Sequence, residues 1–203
     1  MRFLTISLLL FYVGCASYPK KQGLVTTSFT EQTLTNLYFS DASKDYIYKA
    51  NISVYDKDFG GLLILKKVDN NEYRVAFTTE MGNKLFDFSF IDTDFKINYV
   101  LDDLDNKFLI QVLKTDFKAL ISEEINVLNT YKKEHQTIYK TKIYSKNHYY
   151  FFKDKVLSMI VRTGSQKEKV RFSFTDISDN IANTITINHS NIKLNITLKS
   201  IKQ

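Results

Sequence analysis

One cysteine, three histidines and a cluster of aspartates are the residues best suited to chemistry in this chain of 203 residues. A lone thiol, Cys15, cannot close an internal disulfide, and His135, His148 and His189 stand in separate segments. Four such scattered ligands do not make a structural zinc site. No G-x-S-x-G elbow, P-loop, G-x-G-x-x-G or H-E-x-x-H is present, so the local signatures of acyl transfer, nucleotide binding and zinc hydrolysis are missing. The three histidines read as surface or strand residues. Asp102, Asp103 and Asp105 precede an apolar run of helical period. There they read as a helix cap that meets the dipole, with a cation site as the alternative. Carboxylates are plentiful, yet no pair stands out as an acid and base. The expectation is a protein that is not an enzyme, with no catalytic residue, no metal and no cofactor.

Cys15 invites a different chemistry. Arg2 is the only charge before it, Phe3 to Val13 is almost wholly apolar, and Gly14 is the small residue at the junction. This is a short positive region, an apolar stretch and a cleavage site. The stretch falls short of the about 20 residues that span a bilayer. Ending on Gly14-Cys15, it resembles a bacterial lipoprotein signal, whose cysteine is acylated, palmitate being a typical chain. Tyr12 departs from that pattern, which has Leu there. An ordinary secretory signal with an incidental cysteine is the alternative. On the lipoprotein reading, residues 1–14 are the signal peptide and 15–27 the lipidated N-terminus and tether. Residues 28–203 form the folded domain. The tether lacks both the Asp of an inner-membrane retention tag and the acidic run of a surface-export tag. The expected place is therefore the outer membrane, lipid-anchored and facing the periplasm.

Composition sets the elements that hold any site. Hydrophobic residues make up 44% and charged residues 25%, which is globular rather than disordered. The net charge of +6 comes with abundant Lys and Asn, a compositional bias that weakens a nucleic-acid reading; none is expected as a partner. Loss of Arg2 leaves 27 basic and 22 acidic side chains, or +5.

Period-2 alternation dominates the mature chain. Tyr46 to Val54 alternates, Gly60-Gly61 breaks the run, and Leu62 to Lys67 resumes it. Tyr73, Val75 and Phe77 form a strand, Met81-Gly82-Asn83 a turn, and Phe86, Phe88 and Phe90 the return. Phe95, Ile97, Tyr99 and Leu101 follow. Six more strand patterns run from Ile138 to Leu198. Helical spacing occurs twice. Residues 28–39 carry Ser28 and Glu31 as a capping box, and the apolar residues from Leu104 to Ile121 predict a helix over about 103–120. The expected fold is mainly β with α: one strongly curved antiparallel sheet, a half-open barrel covered by helices. Val75, Phe77, Phe86, Phe88, Phe90, Ile97 and Tyr99 would line its concave side, or else fill a solid core. Arg74 and Asp87 face each other near-diagonally across the hairpin, which predicts a structural ion pair.

The stretch Tyr73-Arg74-Val75-Ala76-Phe77-Thr78-Thr79-Glu80-Met81-Gly82-Asn83-Lys84-Leu85-Phe86-Asp87-Phe88 resembles the LolB family of outer-membrane lipoprotein receptors. The shared features are a Tyr-Arg strand, an apolar strand ending in Thr, a short loop with one apolar residue before a Gly, and a return strand. The helix after Leu104 matches the one that follows in that family. The likeness spans about residues 45–121. The family's later Pro- and Trp-containing segment has no counterpart, since Pro19 is the only Pro and Trp is absent. The resemblance implies a half-open barrel with a helical lid. It implies that acylated lipoproteins are accepted from a LolA-like periplasmic carrier and inserted into the outer membrane without ATP or metal. It makes Met81 the membrane-insertion residue and the Phe-rich strands the wall of an acyl cavity. The expected partners are the carrier, acylated lipoproteins and outer-membrane lipid, for a monomer.

The residues alone leave alternatives. Met81 on a hairpin tip, between Glu80 and Gly82, either stays in solvent or folds back onto the sheet. The scaffold could hold another lipid or a partner without inserting lipoproteins, and an enzyme of unrecognised type is the third class.

Overall fold

The computed structural model describes residues 16–28, 32–164 and 166–201. Cys15 and the apolar stretch before it lie outside these residues, as do positions 29–31 of the expected early helix. In chain order the elements are α1 (Tyr18–Lys21), β1 (Val25–Thr26), β2 (Thr33–Thr35), β3 (Asp45–Val54), β4 (Lys57–Asp69), β5 (Glu72–Thr78), β6 (Lys84–Ile91) and β7 (Asp94–Val100). A 3₁₀ turn, Asp102–Leu104, leads to α2 (Lys107–Ile121). Then come β8 (Glu124–Asn126), β9 (Asn129–Lys133), β10 (Gln136–Ile143), β11 (Lys146–Lys153), β12 (Val156–Gly164), β13 (Lys167–Ser178), β14 (Ile181–His189) and β15 (Leu194–Ser200).

Thirteen of these strands make one sheet in the order β1-β9-β10-β11-β12-β13-β14-β15-β3-β4-β5-β6-β7. Each pairing is antiparallel. Neighbours in sequence pair directly from β3 to β7 and from β9 to β15, while β1 pairs β9 and β15 returns to β3, which joins the two halves. The free edges β1 and β7 do not pair with each other, so the sheet stays open and no barrel closes. With 61% strand and 12% helix among the described residues, the fold is mainly β.

Alternation explains why these segments are strands. In β3, Tyr46, Tyr48, Ala50, Ile52 and Val54 are buried on one face; in β15, Leu194, Ile196 and Leu198 match them. That face carries the main core. α2 adds Leu109, Leu113, Phe117 and Leu120 to the same core. Its Phe117 ring stands 5.7 Å from Phe86 on β6, and Tyr150 on β11 donates to the Ala119 carbonyl at 2.9 Å. The helix thus touches both halves of the sheet.

Three sequence expectations are corrected. Within residues 28–39 the described positions, 28 and 32–39, hold no helix: Thr33–Thr35 is a strand paired with Glu124–Asn126. Distant partners hold this segment extended. Asn36 Nδ2 donates to the Leu120 carbonyl at 3.1 Å, and the Tyr38 hydroxyl donates to the Leu157 carbonyl at 2.6 Å. Such contacts override a short local preference. Gly60-Gly61 does not break a strand, because β4 runs through both. A Cβ on Gly61 would lie 1.9 Å from the Thr78 carbonyl oxygen, so only Gly lets the β5 backbone approach there. The aspartates do not cap α2. Asn106 does, its side-chain oxygen accepting from Phe108 N at 2.9 Å and Leu109 N at 3.1 Å, while Asp102 and Asp103 begin the 3₁₀ turn. The described part of the expected tether, residues 16–27, packs onto the sheet. Tyr18 and Leu24 are buried against Tyr131, Ile138, Tyr149, Phe151 and Val161 on the outer face of the β9–β12 arm. β11 is consequently apolar on both faces, with Tyr150 and Phe152 turned to the main core and Tyr149 and Phe151 to α1.

Candidate functional site

The β5–β6 hairpin ends in a loop that displays one apolar side chain. Thr79 N donates to the Asn83 carbonyl at 2.8 Å and Gly82 N to the Thr79 carbonyl at 2.9 Å. The Thr79 hydroxyl accepts from Asn83 N at 3.1 Å. Gly82 takes φ +87°, the left-handed region that Gly enters freely. Lys49 on β3 holds the Glu80 carboxylate at 2.9 Å. This braced loop leaves Met81 92% exposed.

Below the tip, Arg74 Nε and Nη2 donate to the two oxygens of Asp87 at 2.9 and 2.6 Å. The register pairs Arg74 with Ser89 and Asp87 with Ala76, so the contact is diagonal across the hairpin. Lys84 Nζ adds a bond at 3.0 Å and Asn98 Nδ2 one at 3.3 Å. The hydrogen bonds from Arg74 lead in holding the Asp87 carboxyl far below the usual range, and burial opposes them. Bidentate charge-assisted bonding of this kind fixes geometry as well as energy. The cluster stiffens the base of the Met81 loop.

The expected acyl wall divides into two groups. Val75, Phe77, Phe86, Phe88 and Phe90 face inward but are fully buried, and Phe86 stacks on Phe88 at 4.6 Å. With Phe117 of α2 packed over them they fill a core rather than line an open groove. Ile97 and Tyr99 stand half exposed on the edge strand β7. Tyr99 lies opposite Asp87, on the outer face, with the Lys84 ammonium 5.9 Å from its ring centre.

Open apolar space lies elsewhere. A cavity of about 550 Å³ sits where the β3–β4 tip, the β14–β15 turn and the start of α2 meet. Val54, Tyr55, Phe108, Leu109, Ile192 and Leu194 give it apolar walls, and Lys57, Asp103 and Lys193 stand at its rim. That volume falls within the range of ligand clefts, about 300–1,000 Å³. Tyr55 and Phe108 are 62% and 53% exposed. Lys57 bridges to Asp103 at 3.5 Å, tying the hairpin tip to the turn before α2. The sequence reading missed this site. Phe108 carries the helical period, but nothing local tells that it looks into a cavity. Tyr55, in the left-handed region at φ +53°, gives no signal either.

A buried polar cluster fastens α2 beside this cavity. His189 Nε2 lies 2.7 Å from Asp116 Oδ2, and Nδ1 donates to the Leu194 carbonyl at 2.9 Å. Arg162 reaches within 3.6 Å of Asp116 Oδ1. On the neighbouring strand His148 Nδ1 donates to the Lys146 carbonyl at 3.0 Å, and burial pushes the imidazole down to about 4. Asp116 and His189 connect α2 to the strand end whose Leu194 lines the cavity. These contacts join α2 to β12 and to the β14–β15 turn. His135 is exposed and joins neither cluster. Among the described residues no group of His, Cys, Asp and Glu could hold a metal ion.

No protein-family model matches the chain, and no curated protein matches it. A solved structure of a LolA superfamily protein from Nitrosomonas europaea is similar, with a TM-score of 0.53 and 6% identity. That match covers 82% of this chain and 88% of the other. A DUF1329 family protein from Desulfovibrio piger gives a TM-score of 0.42 at 6% identity, over 80% of this chain and 85% of that one. The fold is therefore LolA-like, and at this identity the likeness extends to the fold alone.

Proposed function

We propose that this protein is a lipid-anchored acceptor of the outer membrane. It takes acylated lipoproteins from a soluble periplasmic carrier and pushes them into the bilayer, without catalysis or cofactor. The observation that carries this reading is Met81, held outward on a braced loop and 92% exposed. Entering the headgroup boundary, an apolar side chain of this size recovers roughly 1.5–3 kcal/mol. Its unbranched thioether suits a disordered surface. The LolA-like fold supports a lipid- or lipoprotein-binding module. In this reading the acyl chain enters at the cavity rimmed by Tyr55 and Phe108, because the Phe-rich wall is already filled. Hand-over then needs only graded affinity: tighter here than on the carrier, and weaker than in the membrane.

The test compares Met81→Glu with the native protein in an insertion assay that starts from preloaded cargo. The expected result is retained cargo and a native fold, with insertion reduced at least tenfold. Normal insertion by Met81→Glu would remove the assigned role and favour the other reading, a lipid- or partner-binding module that does not insert lipoproteins.

A further inference from the structure

The positive charge of this molecule is concentrated on one arm. Residues 129–169, which form β9 to β12 and the start of β13, hold ten basic and three acidic side chains, a net +7. The whole chain carries +6, so everything else sums to −1. On the outer face of this arm the register groups the basic residues. Lys140 pairs with Tyr149, a residue of the outer apolar cluster, and Lys142 shares its face two positions on. Arg171 pairs with Val161 of the same cluster. Lys169 precedes Val170, which points into the main core, and so projects outward. Lys20 and Lys21 of α1 are exposed over the same face. Arg171 is bound to Glu168 at 2.7 Å. Among the described residues no salt bridge holds Lys20, Lys21, Lys140, Lys142 or Lys169.

The N-terminal segment lands on this face. The Tyr18 ring packs 4.7 Å from Tyr149. Pro19 and Leu24 are buried as well. Only Ala16 and Ser17 separate this docked helix from Cys15. Cys15 is three chain steps from Tyr18, at most about 11 Å, so a group attached there would start close to the basic face.

We propose that the outer face of the β9–β12 arm, carrying Lys140, Lys142, Lys169 and the Lys20-Lys21 pair, is a membrane-contact surface that binds the phosphates of anionic phospholipids next to the anchor. This rests on the reading of Cys15 as acylated. One lipid anchor alone leaves a protein free to tumble about its attachment. A basic face at the anchor adds a second attachment and fixes which way the body points. The docked segment makes this orientation rigid rather than statistical. It also holds the opposite arm, with the Met81 hairpin, in a constant relation to the bilayer.

The full acylated protein is reconstituted on vesicles of phosphatidylcholine, with or without phosphatidylglycerol. Lysine reactivity is then read by reductive methylation and mass spectrometry. Anionic lipid is expected to slow labelling of Lys20, Lys21, Lys140, Lys142 and Lys169 by about fivefold. Lys96 and Lys199, on β7 and β15, should not change. High salt should restore labelling, and Lys140→Glu with Lys142→Glu should abolish the protection in an otherwise native fold. Equal labelling on both vesicles would overturn the proposal. So would protection that arises only when an acidic carrier protein is added, which would assign the face to a protein partner. No cargo is present, so a failed transfer assay leaves this result standing. Failure to hold on neutral vesicles would refute the anchor and, with it, the placement proposed here.

Discussion

His148 shows how a single buried side chain links this fold to pH. Its ring is neutral in the folded core because burial disfavours the charged form, down to about 4. In the unfolded chain it gains a proton near 6.5. Its contribution is thus fully present above that value and is lost as pH falls through the folded one, a difference of roughly 3 kcal/mol. Urea unfolding of the native protein between pH 7 and pH 4 should show this decline. His148→Asn keeps a donor for the Lys146 carbonyl and should flatten it. An equal decline in that variant would move the effect to other groups. Asp87 has the same sign for a different reason: bonds from Arg74, Lys84 and Asn98 stabilise its charged form, so acid weakens the hairpin base. The Met81 turn was legible at this scale, but its exposure was not, since a Met between Glu80 and Gly82 fits a side chain in solvent and one folded back onto the sheet equally well. The partners of Asp116 were not, because Arg162 and His189 lie 46 and 73 positions away in sequence.

Among the elements, β4 carries the sharpest steric requirement. A methyl group on Gly61 meets the Thr78 backbone, whereas one on Gly60 meets nothing within 4 Å. Gly61→Ala should therefore lower stability by about 1–3 kcal/mol. Gly60→Ala should stay near the native midpoint, and urea midpoints measure both. Equal effects would mean that strand propensity, not close approach, governs the site. Period-2 alternation located the long strands from the sequence, because each buries one face against the core. The 3.6 period located α2 for the same reason. The short strands β1, β2 and β8 stayed hidden. Two or three residues carry no period, and such strands exist only because the chain on either side is already placed. Residues 33–35 illustrate the conflict: helical spacing lost to hydrogen bonds from Asn36 and Tyr38 to Leu120 and Leu157.

For the molecule as a whole, the open sheet divides the work between its arms. The β3–β7 arm displays Met81, the β9–β12 arm holds the N-terminal segment and most of the charge, and α2 bridges them over a filled core. The Lys114 ammonium stands 5.2 Å from the ring of Phe95 on β7 and 4.8 Å from that of Tyr144 in the β10–β11 turn, so one side chain touches both arms. The sequence pattern gave the mainly β class but could not tell a lined groove from a packed core. Both need the same Phe stripe, and only the placement of Phe117 decides between them. The cavity at the start of α2 is a product of three turns far apart in sequence, which no local pattern encodes. On the proposed function, this scaffold receives acylated cargo. The most direct measurement mixes the protein with a carrier loaded with an acylated lipoprotein and quantifies the cargo that comes to co-migrate with it. Most of the cargo should move to this protein with no nucleotide added. Cargo that stays on the carrier while this protein is folded would contradict the proposed function.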